Sequence, residues 1–102
     1  MKYVINTKQR IYVEENKITI VIYRRFAMII KKDIYTVILE LDGDVIYKRK
    51  FRKKFFNSFK NDVSILLTQI FIELLLFEYH DEVMDILSKN SHYIQKAFDQ
   101  FV

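Results

Sequence analysis

The chain contains no cysteine and no proline, and its single glycine is Gly43. Without cysteine there are no disulfides, no cysteine-based zinc sites, no iron–sulfur ligation and no thiol nucleophile. A single glycine leaves no glycine-rich phosphate loop, no dinucleotide-binding fingerprint and no nucleophile elbow, since each of these needs glycines at fixed spacing. These absences exclude several large classes of enzyme and metalloprotein.

Histidine is also scarce, because the chain has only His80 and His92. A serine–histidine–aspartate arrangement would have to use Ser88 or Ser91 with one of these histidines, and nothing around them suggests an activated serine or an oxyanion hole. The acidic residues near position 80 lack the pair of histidines at i, i+4 that a metal site on a helix would show. The sequence therefore predicts a protein that is not an enzyme and needs no cofactor.

Long apolar runs are missing as well. The longest uncharged apolar stretch begins at Val63 and is interrupted by Glu73, well short of the ~18–20 residues that a membrane span requires. Residues 1–10 do not form the apolar run of a secretory signal, because Lys8 and Arg10 come too early. The expectation is a soluble cytoplasmic protein with no membrane span.

Apolar surface and charge are abundant. The chain has 102 residues, 51% of them hydrophobic, which predicts a single domain over residues 1–102 with its own core. Residues 1–60 carry 15 Lys or Arg and 6 Asp or Glu, a balance of +9, whereas residues 61–102 carry 2 and 7, a balance of −5. This asymmetry favours a nucleic-acid or acidic partner, and it equally suits attraction between the halves within one chain or in a homo-oligomer.

An internal repeat is the clearest organised signal. Residues 21–26 read VIYRRF and residues 45–51 read VIYKRKF, and each follows an earlier Ile-Tyr pair. Short runs rich in Ile, Val, Tyr and Thr predict strands over 2–6, 10–14, 17–25, 34–41 and 44–50. Asp42-Gly43 is the strongest turn, since both positions tolerate positive φ, and the turn near Glu15-Asn16 is weaker. The pattern predicts a duplicated β-hairpin, with copies at 11–26 and 34–51.

Alternation along the repeated strands gives two faces that are both apolar in the middle and basic at the end. Val21 and Tyr23 lie on one side and Ile20 and Ile22 on the other. A sheet of this kind is expected to be covered on both sides, by helices, another hairpin or another subunit. The segment 26–33 fits either a longer strand or a short helical turn.

Beyond residue 50 the apolar spacing becomes helical. A single stripe at steps of three and four runs through Phe51, Phe55, Phe59, Val63, Leu67, Ile70, Leu74 and Phe77. Good N-cap residues at 57–62 predict a break there. The expected helices are a central, doubly buried one over 63–77, a second over 81–89 and a third capped by Ser91. Strands followed by helices predict an α+β fold.

The basic ends of the two repeats suggest a binding groove. If the hairpins are related by a pseudo-twofold axis, their basic ends would flank a groove with aromatic walls. An extended peptide would suit such a groove, because rings offer contact area and strand edges offer unpaired backbone groups. The predicted function is therefore protein or peptide binding, with cationic rims at Arg24, Arg25, Lys48, Arg49 and Lys50 and walls at Tyr23, Phe26, Tyr47 and Phe51.

The alternative function is nucleic-acid binding by residues 48–60, KRKFRKKFFNSFK, which contain seven Lys or Arg, four Phe and no acid. Such charge gains free energy by releasing counterions from phosphates, and rings among the cations could stack on bases. Arg52, Lys53 and Lys54 would make the phosphate contacts in this tract. Against this function, the helical spacing of the Phe residues also suits an ordinary amphipathic helix.

The repeat of VIYRRF and VIYKRKF, the Ile-, Lys-, Phe- and Tyr-rich style and the lack of Cys and Pro resemble the small orphan proteins of filamentous viruses that infect hyperthermophilic archaea such as Acidianus. A small phage protein has the same style. The resemblance implies a viral protein in the cytoplasm of an infected cell, one that binds host or viral macromolecules rather than catalysing a reaction. It identifies no functional residue.

Overall fold

Strands occupy the first half of the chain in the computed structural model, which describes residues 6–101. They are β1 (Asn6–Val13), β2 (Ile18–Ala27), β3 (Lys32–Leu41) and β4 (Asp44–Arg52), and they form an antiparallel sheet in the order β1-β2-β3-β4. The predicted duplicated hairpin corresponds to β1–β2 and β3–β4. The predicted strand at 2–6 lies outside the described residues except for Asn6.

The turns follow the local sequence. Asp42 and Gly43 have φ of 49° and 89°, as a two-residue hairpin turn requires, and this confirms the Asp-Gly prediction. The first hairpin has a longer turn in which Glu14, Glu15 and Asn16 all have positive φ. The undecided segment 26–33 continues β2 to Ala27 and then turns into β3.

Four helices follow the strands in the described part of the chain. They are α1 (Lys53–Asn61), α2 (Val63–Glu73), α3 (His80–Lys89) and α4 (Ser91–Gln100), so the α+β fold is confirmed. The predicted break is at Asp62, whose carboxylate accepts the backbone N–H of Ser64 at 3.0 Å and caps α2. Not one helix among the described residues is long and apolar enough to cross a membrane.

The prediction of a doubly buried central helix over 63–77 is wrong. α2 ends at Glu73, and its buried residues, Val63, Leu66, Leu67 and Ile70, lie on a single side. Ile65 and Ile72 are exposed, as is Leu76 in the turn beyond the helix. The described residues form two layers, helices on one face of a sheet, so α2 has only one layer to pack against.

The core lies between the helices and one face of the sheet. Strand register places Ile20, Ile22, Val37 and Leu39 on this face, and they join residues of all four helices in one apolar cluster. The expectation that helices or a hairpin cover both faces is therefore wrong for residues 6–101. The alternation of residues along the strands gives apolar side chains on both faces of the sheet, but the helices pack on only one of these faces.

An aromatic cluster fixes the helices to the sheet. The ring of Phe56 stacks on Tyr35 of β3 with centroids 4.2 Å apart, and on Phe98 of α4 at 5.8 Å. The sequence stripe placed Phe55 here instead. β4 continues to Arg52, so the helical period begins only at Lys53, and this later start brings Phe56 rather than Phe55 to the core.

Replacing Phe56 with Ala should lower the free energy of unfolding by about 3–5 kcal/mol, the cost of removing a fully buried aromatic side chain. Phe55→Ala is the matched control, because Phe55 is 57% exposed whereas Phe56 is 1% exposed. Urea denaturation followed by circular dichroism measures both. Equal losses in the two variants would contradict the packing described here.

Candidate functional site

The face of the sheet opposite the helices, here called the open face, carries a concentration of positive charge. The strand registers place Glu40 as the single carboxylate on this face among the described strand residues, and it lies 3.9 Å from Arg10. The cations that the same registers place there are Lys8, Arg10, Arg25, Lys32, Lys48, Lys50 and Arg52. The open face is therefore strongly basic.

Successive rows across the sheet share one pattern. Lys8 of β1 is opposite Tyr23, Tyr23 is opposite Thr36, and Thr36 is opposite Lys50 of β4. The next row runs Arg10, Val21, Ile38, Lys48 in the same strand order. In these two rows cations stand on the outer strands, and aromatic, apolar or small polar residues stand on the inner strands. Arg25 of β2 and Lys32 of β3 are the inner-strand cations of the open face, and they lie nearer the β2–β3 turn.

These rows form a trough along the strands. Its rims are Lys8 and Arg10 on one side and Lys48, Lys50 and Arg52 on the other. Its floor is Val21, Tyr23, Ile34, Thr36 and Ile38, with Arg25 at one end. The rims are three strand spacings apart, roughly 14 Å. A depression of about 230 Å³ occupies the trough and is lined by strand residues alone.

The floor of the trough is sheltered without any helix above it in the described chain. Val21 is 2% exposed and Thr36 is also buried, yet neither belongs to the core cluster. Long side chains at the rims cover apolar surface with their methylene stems while their charged ends stay in water. The trough therefore combines a largely apolar floor with positively charged rims.

The cations lining the depression have no carboxylate partner within 4.0 Å among residues 6–101; they are Lys8, Arg25, Lys48 and Lys50. The arginines on the core side differ. Arg24 pairs with Asp33 at 3.3 Å, and Arg49 pairs with Glu73 of α2. Strand alternation thus separates neighbouring cations in the repeats. Arg24 and Arg49, on the core side, are paired with carboxylates, whereas the cations that line the depression are not.

Of the residues predicted to form the groove, the structure brings together Tyr23, Arg25, Lys48 and Lys50 around the depression. Arg24, Phe26 and Arg49 lie on the helix side of their strands, as the registers show. The predicted aromatic walls at Tyr47 and Phe51 are buried in the core instead. A groove with these walls between the hairpin ends does not form within the described residues.

Tyr47 and Phe51 anchor β4 to the helices. The Tyr47 hydroxyl donates to the Glu73 carboxylate at 2.6 Å, and the Phe51 ring packs edge-on against Phe59 at 4.8 Å. Burial raises the pKa of Tyr47 above its ordinary value of 10.0, and the nearby charge of Arg49 partly opposes this. Both rings serve packing.

The two copies of the repeat are out of phase because of an irregularity in the β3–β4 ladder. The register shifts between Leu39 and Glu40, so that Leu39 pairs with Tyr47 and Glu40 pairs with Val45. Such a bulge moves following residues to the other face. Tyr23 therefore faces the trough, whereas its counterpart Tyr47 faces the helices.

The basic tract 48–60 is divided in the same way. Arg52 pairs with Ile34 and extends the rim of the trough. Lys53 and Lys54 are exposed in the first turn of α1 and do not line the depression. Phe56 and Phe59 are core residues and Phe55 is exposed. The tract is therefore not one binding surface.

Several trough residues escaped the sequence prediction, namely Lys8, Arg10, Val21, Ile34, Thr36 and Ile38. Lys8 and Arg10 stand at alternate positions of β1, on the face opposite Ile11 and Val13, and this alternation is a signal in the sequence. Their proximity to Lys48 and Lys50 depends on strand order, since β1 and β4 are far apart in the sequence and only the sheet brings them over one floor.

The structure also shows the surroundings of His80, one of the two histidines considered as a catalytic or metal-binding residue. His80 is buried at the start of α3, where its Nε2 lies 3.0 Å from the Phe71 carbonyl oxygen and its Nδ1 lies 3.1 Å from Asp81. Among residues 6–101, no three His, Cys, Asp or Glu side chains are grouped so as to hold a metal ion. His80 therefore ties α3 to the end of α2.

No protein-family model, curated protein or solved structure matches this chain. The resemblance to viral orphan proteins accordingly stays a prediction from sequence style. Functional inference therefore depends on the chemistry of the open face itself.

Tyr47→Phe should lower the free energy of unfolding at pH 7 by about 1 kcal/mol, because it removes a hydrogen bond to a charged acceptor. The raised pKa of Tyr47 means that its contribution is complete below pH 10.0 and is lost as the pH rises through the higher folded-state value. The difference from the parent protein should therefore shrink in alkaline urea titrations. Tyr93→Phe, at an exposed position, is the control, and an unchanged stability of Tyr47→Phe at pH 7 would contradict this role.

Proposed function

We propose that this protein binds single-stranded nucleic acid along the trough of the open face. The observation that carries the proposal is the row pattern, in which unpaired cations flank a floor containing Tyr23. Phosphates would contact the rims while bases lie on the floor. Function then resides in binding rather than catalysis.

The charge arrangement supports a polyanion. A chain of phosphates gains free energy by releasing condensed counterions to Lys and Arg, and the gain grows with the number of phosphates neutralised. The rims offer cations at alternate positions of β1 and of β4, so several phosphates would be contacted at once. Arg24 and Arg49 are left out of this count because they pair with carboxylates, and Arg10 of the rim is shared with Glu40 at 3.9 Å.

The floor supports single strands over duplexes. Unpaired bases expose flat aromatic faces that stack on tyrosine or lie on apolar side chains, and sheets with such residues are used repeatedly for this purpose. In a duplex the base faces are stacked on one another, so Tyr23 and Ile38, which are part-exposed on the floor, would have no partner. Duplex binding would use the rims alone.

Peptide binding, predicted from the repeat, is less well supported by the geometry. It relied on Tyr47 and Phe51 as walls, and both are buried among the helices. An acidic extended peptide would still satisfy the rims, so it is the competing occupant. A viral origin and a place in the host cytoplasm are further proposals that rest on the sequence style.

The proposal is tested by fluorescence anisotropy with a labelled single-stranded oligothymidylate over a salt series. Lys48→Gln combined with Lys50→Gln should weaken binding and reduce the slope of log affinity against log salt by about 0.7 per lost phosphate contact. Lys53→Gln combined with Lys54→Gln is the matched control, because it removes the same charge from the same tract but outside the trough. This control should bind almost as the parent protein does.

Three outcomes would overturn the proposal. Equal weakening in the two double variants would mean that only net charge matters. Absence of binding at low salt would remove nucleic acid as the ligand. Tighter binding of a glutamate-rich peptide than of the oligonucleotide would assign the trough to an acidic peptide.

A further inference from the structure

Two apolar clusters are exposed outside the trough. The first, the hairpin tip, is the turn Met28–Ile29–Ile30 between β2 and β3, where Ile29 is 98% exposed. The second, the helix junction, lies at the end of α2 and in the turn after it, and consists of Phe71, Ile72, Leu75, Leu76 and Tyr79. Leu76 is 99% exposed. Exposed apolar clusters of this kind mark contact sites.

The two clusters lie toward opposite ends of the β2–β3 ladder. The hairpin tip lies between Ala27 and Lys32, which form the last pair of the β2–β3 ladder. Lys17, just before β2 at the other end of that ladder, forms an ion pair with Glu82 in the first turn of α3. The helix junction immediately precedes α3, so it lies at the Lys17 end. The longest dimension of the molecule is 46 Å.

The surroundings of the two clusters have opposite charge. No acid occurs in the sequence from 18 to 32, and the tip is flanked by Arg25, Lys31 and Lys32. No Lys or Arg occurs from 61 to 88. Of the acids around the junction, Glu73 pairs with Arg49 and Glu82 pairs with Lys17. Glu78 and Asp81 have no Lys or Arg partner within 4.0 Å among residues 6–101 and supply the negative charge of this rim. Each cluster is thus apolar at its centre, and the two rims are complementary.

We propose that the hairpin tip of one copy docks on the helix junction of another, so that the chain associates head to tail. A tip-to-tip or junction-to-junction contact would bring like charges together, which the complementary pairing avoids. A contact between two different surfaces joins copies head to tail, into a ring if the rotation between copies closes and into a linear filament if it does not. This inference uses neither the trough nor its ligand and stands apart from the proposed function.

A lipid surface is the competing occupant for the tip. An apolar turn flanked by lysines suits an anionic membrane. Such a membrane would repel the acidic junction and leave Leu75 and Leu76 uncovered. Docking between two copies of the chain instead covers a hairpin tip and a helix junction in the same contact.

Sedimentation velocity over a concentration series tests the inference. The contact is small, and interfaces below roughly 1,200 Å² are weak or transient, so the series should run from about 10 µM to about 1 mM. The parent protein should show a sedimentation coefficient that rises continuously with concentration and falls with added salt. A strictly monomeric protein over this range would overturn the proposal.

Two variants remove one cluster each without changing charge. Ile29→Ser with Ile30→Ser removes the tip, and Leu75→Ser with Leu76→Ser removes the junction. Because these side chains are exposed, circular dichroism should show an unchanged fold. Each variant alone should be monomeric, and an equimolar mixture should form a dimer and nothing larger, since one intact tip meets one intact junction.

The mixing experiment separates the alternatives. Self-association of either variant alone would show a contact between like surfaces and would overturn the head-to-tail arrangement. Ile65→Ser is the control for general hydrophobicity, because Ile65 is exposed on α2 outside both clusters, and it should associate as the parent does. If the parent is monomeric and pelleted by phosphatidylserine vesicles only when the tip is intact, the tip belongs to a lipid surface instead.

Discussion

Side chains on a β-strand point alternately to opposite faces, and this period of two decides what each residue of the sheet does. The helical layer covers one face in the described chain. On that face Ile22 and Val37 are buried in the core, and Arg24 and Arg49 are paired with carboxylates. On the other face Lys8, Arg25, Lys48 and Lys50 have no carboxylate within 4.0 Å among residues 6–101. The core and the trough are therefore two consequences of one constraint.

The aromatic cluster around Phe56 fixes which face of the sheet the helices cover. Tyr35 presents its ring from the sheet, and Phe98 and Phe101 present theirs from the end of the chain. These contacts join β3, α1 and α4 into one packed unit. They hold the helices on the same side as Ile22, so the exposure of the cations on the open face depends indirectly on the buried ring of Phe56.

Local signals in the sequence predicted the fold well. Asp42-Gly43 specifies its own turn, Asp62 specifies a helix start, and the apolar spacing beyond residue 80 specifies α3 and α4. The predictions that failed are those in which the position of a residue depends on how its segment packs or pairs with another segment. The apolar stripe predicts Phe55 rather than Phe56 as a core residue because it begins at Phe51, which belongs to a strand. The two VIY segments look equivalent in sequence, but the register shift near Leu39 depends on how β3 pairs with β4. The trough has no local signal for the same reason, since Lys8 and Lys50 come into one row only through the order of four strands.

Neighbouring residues in one repeat give the most direct test of this account. Arginine side-chain and tyrosine ring signals can be followed by NMR while a short single-stranded oligonucleotide is added. The account predicts large shifts for Arg25 and Tyr23, on the open face, and small shifts for Arg24, Arg49 and Tyr47, on the helix side. Shifts of Arg24 and Arg49 as large as that of Arg25 would contradict the central claim that strand alternation separates the binding residues from the packing residues.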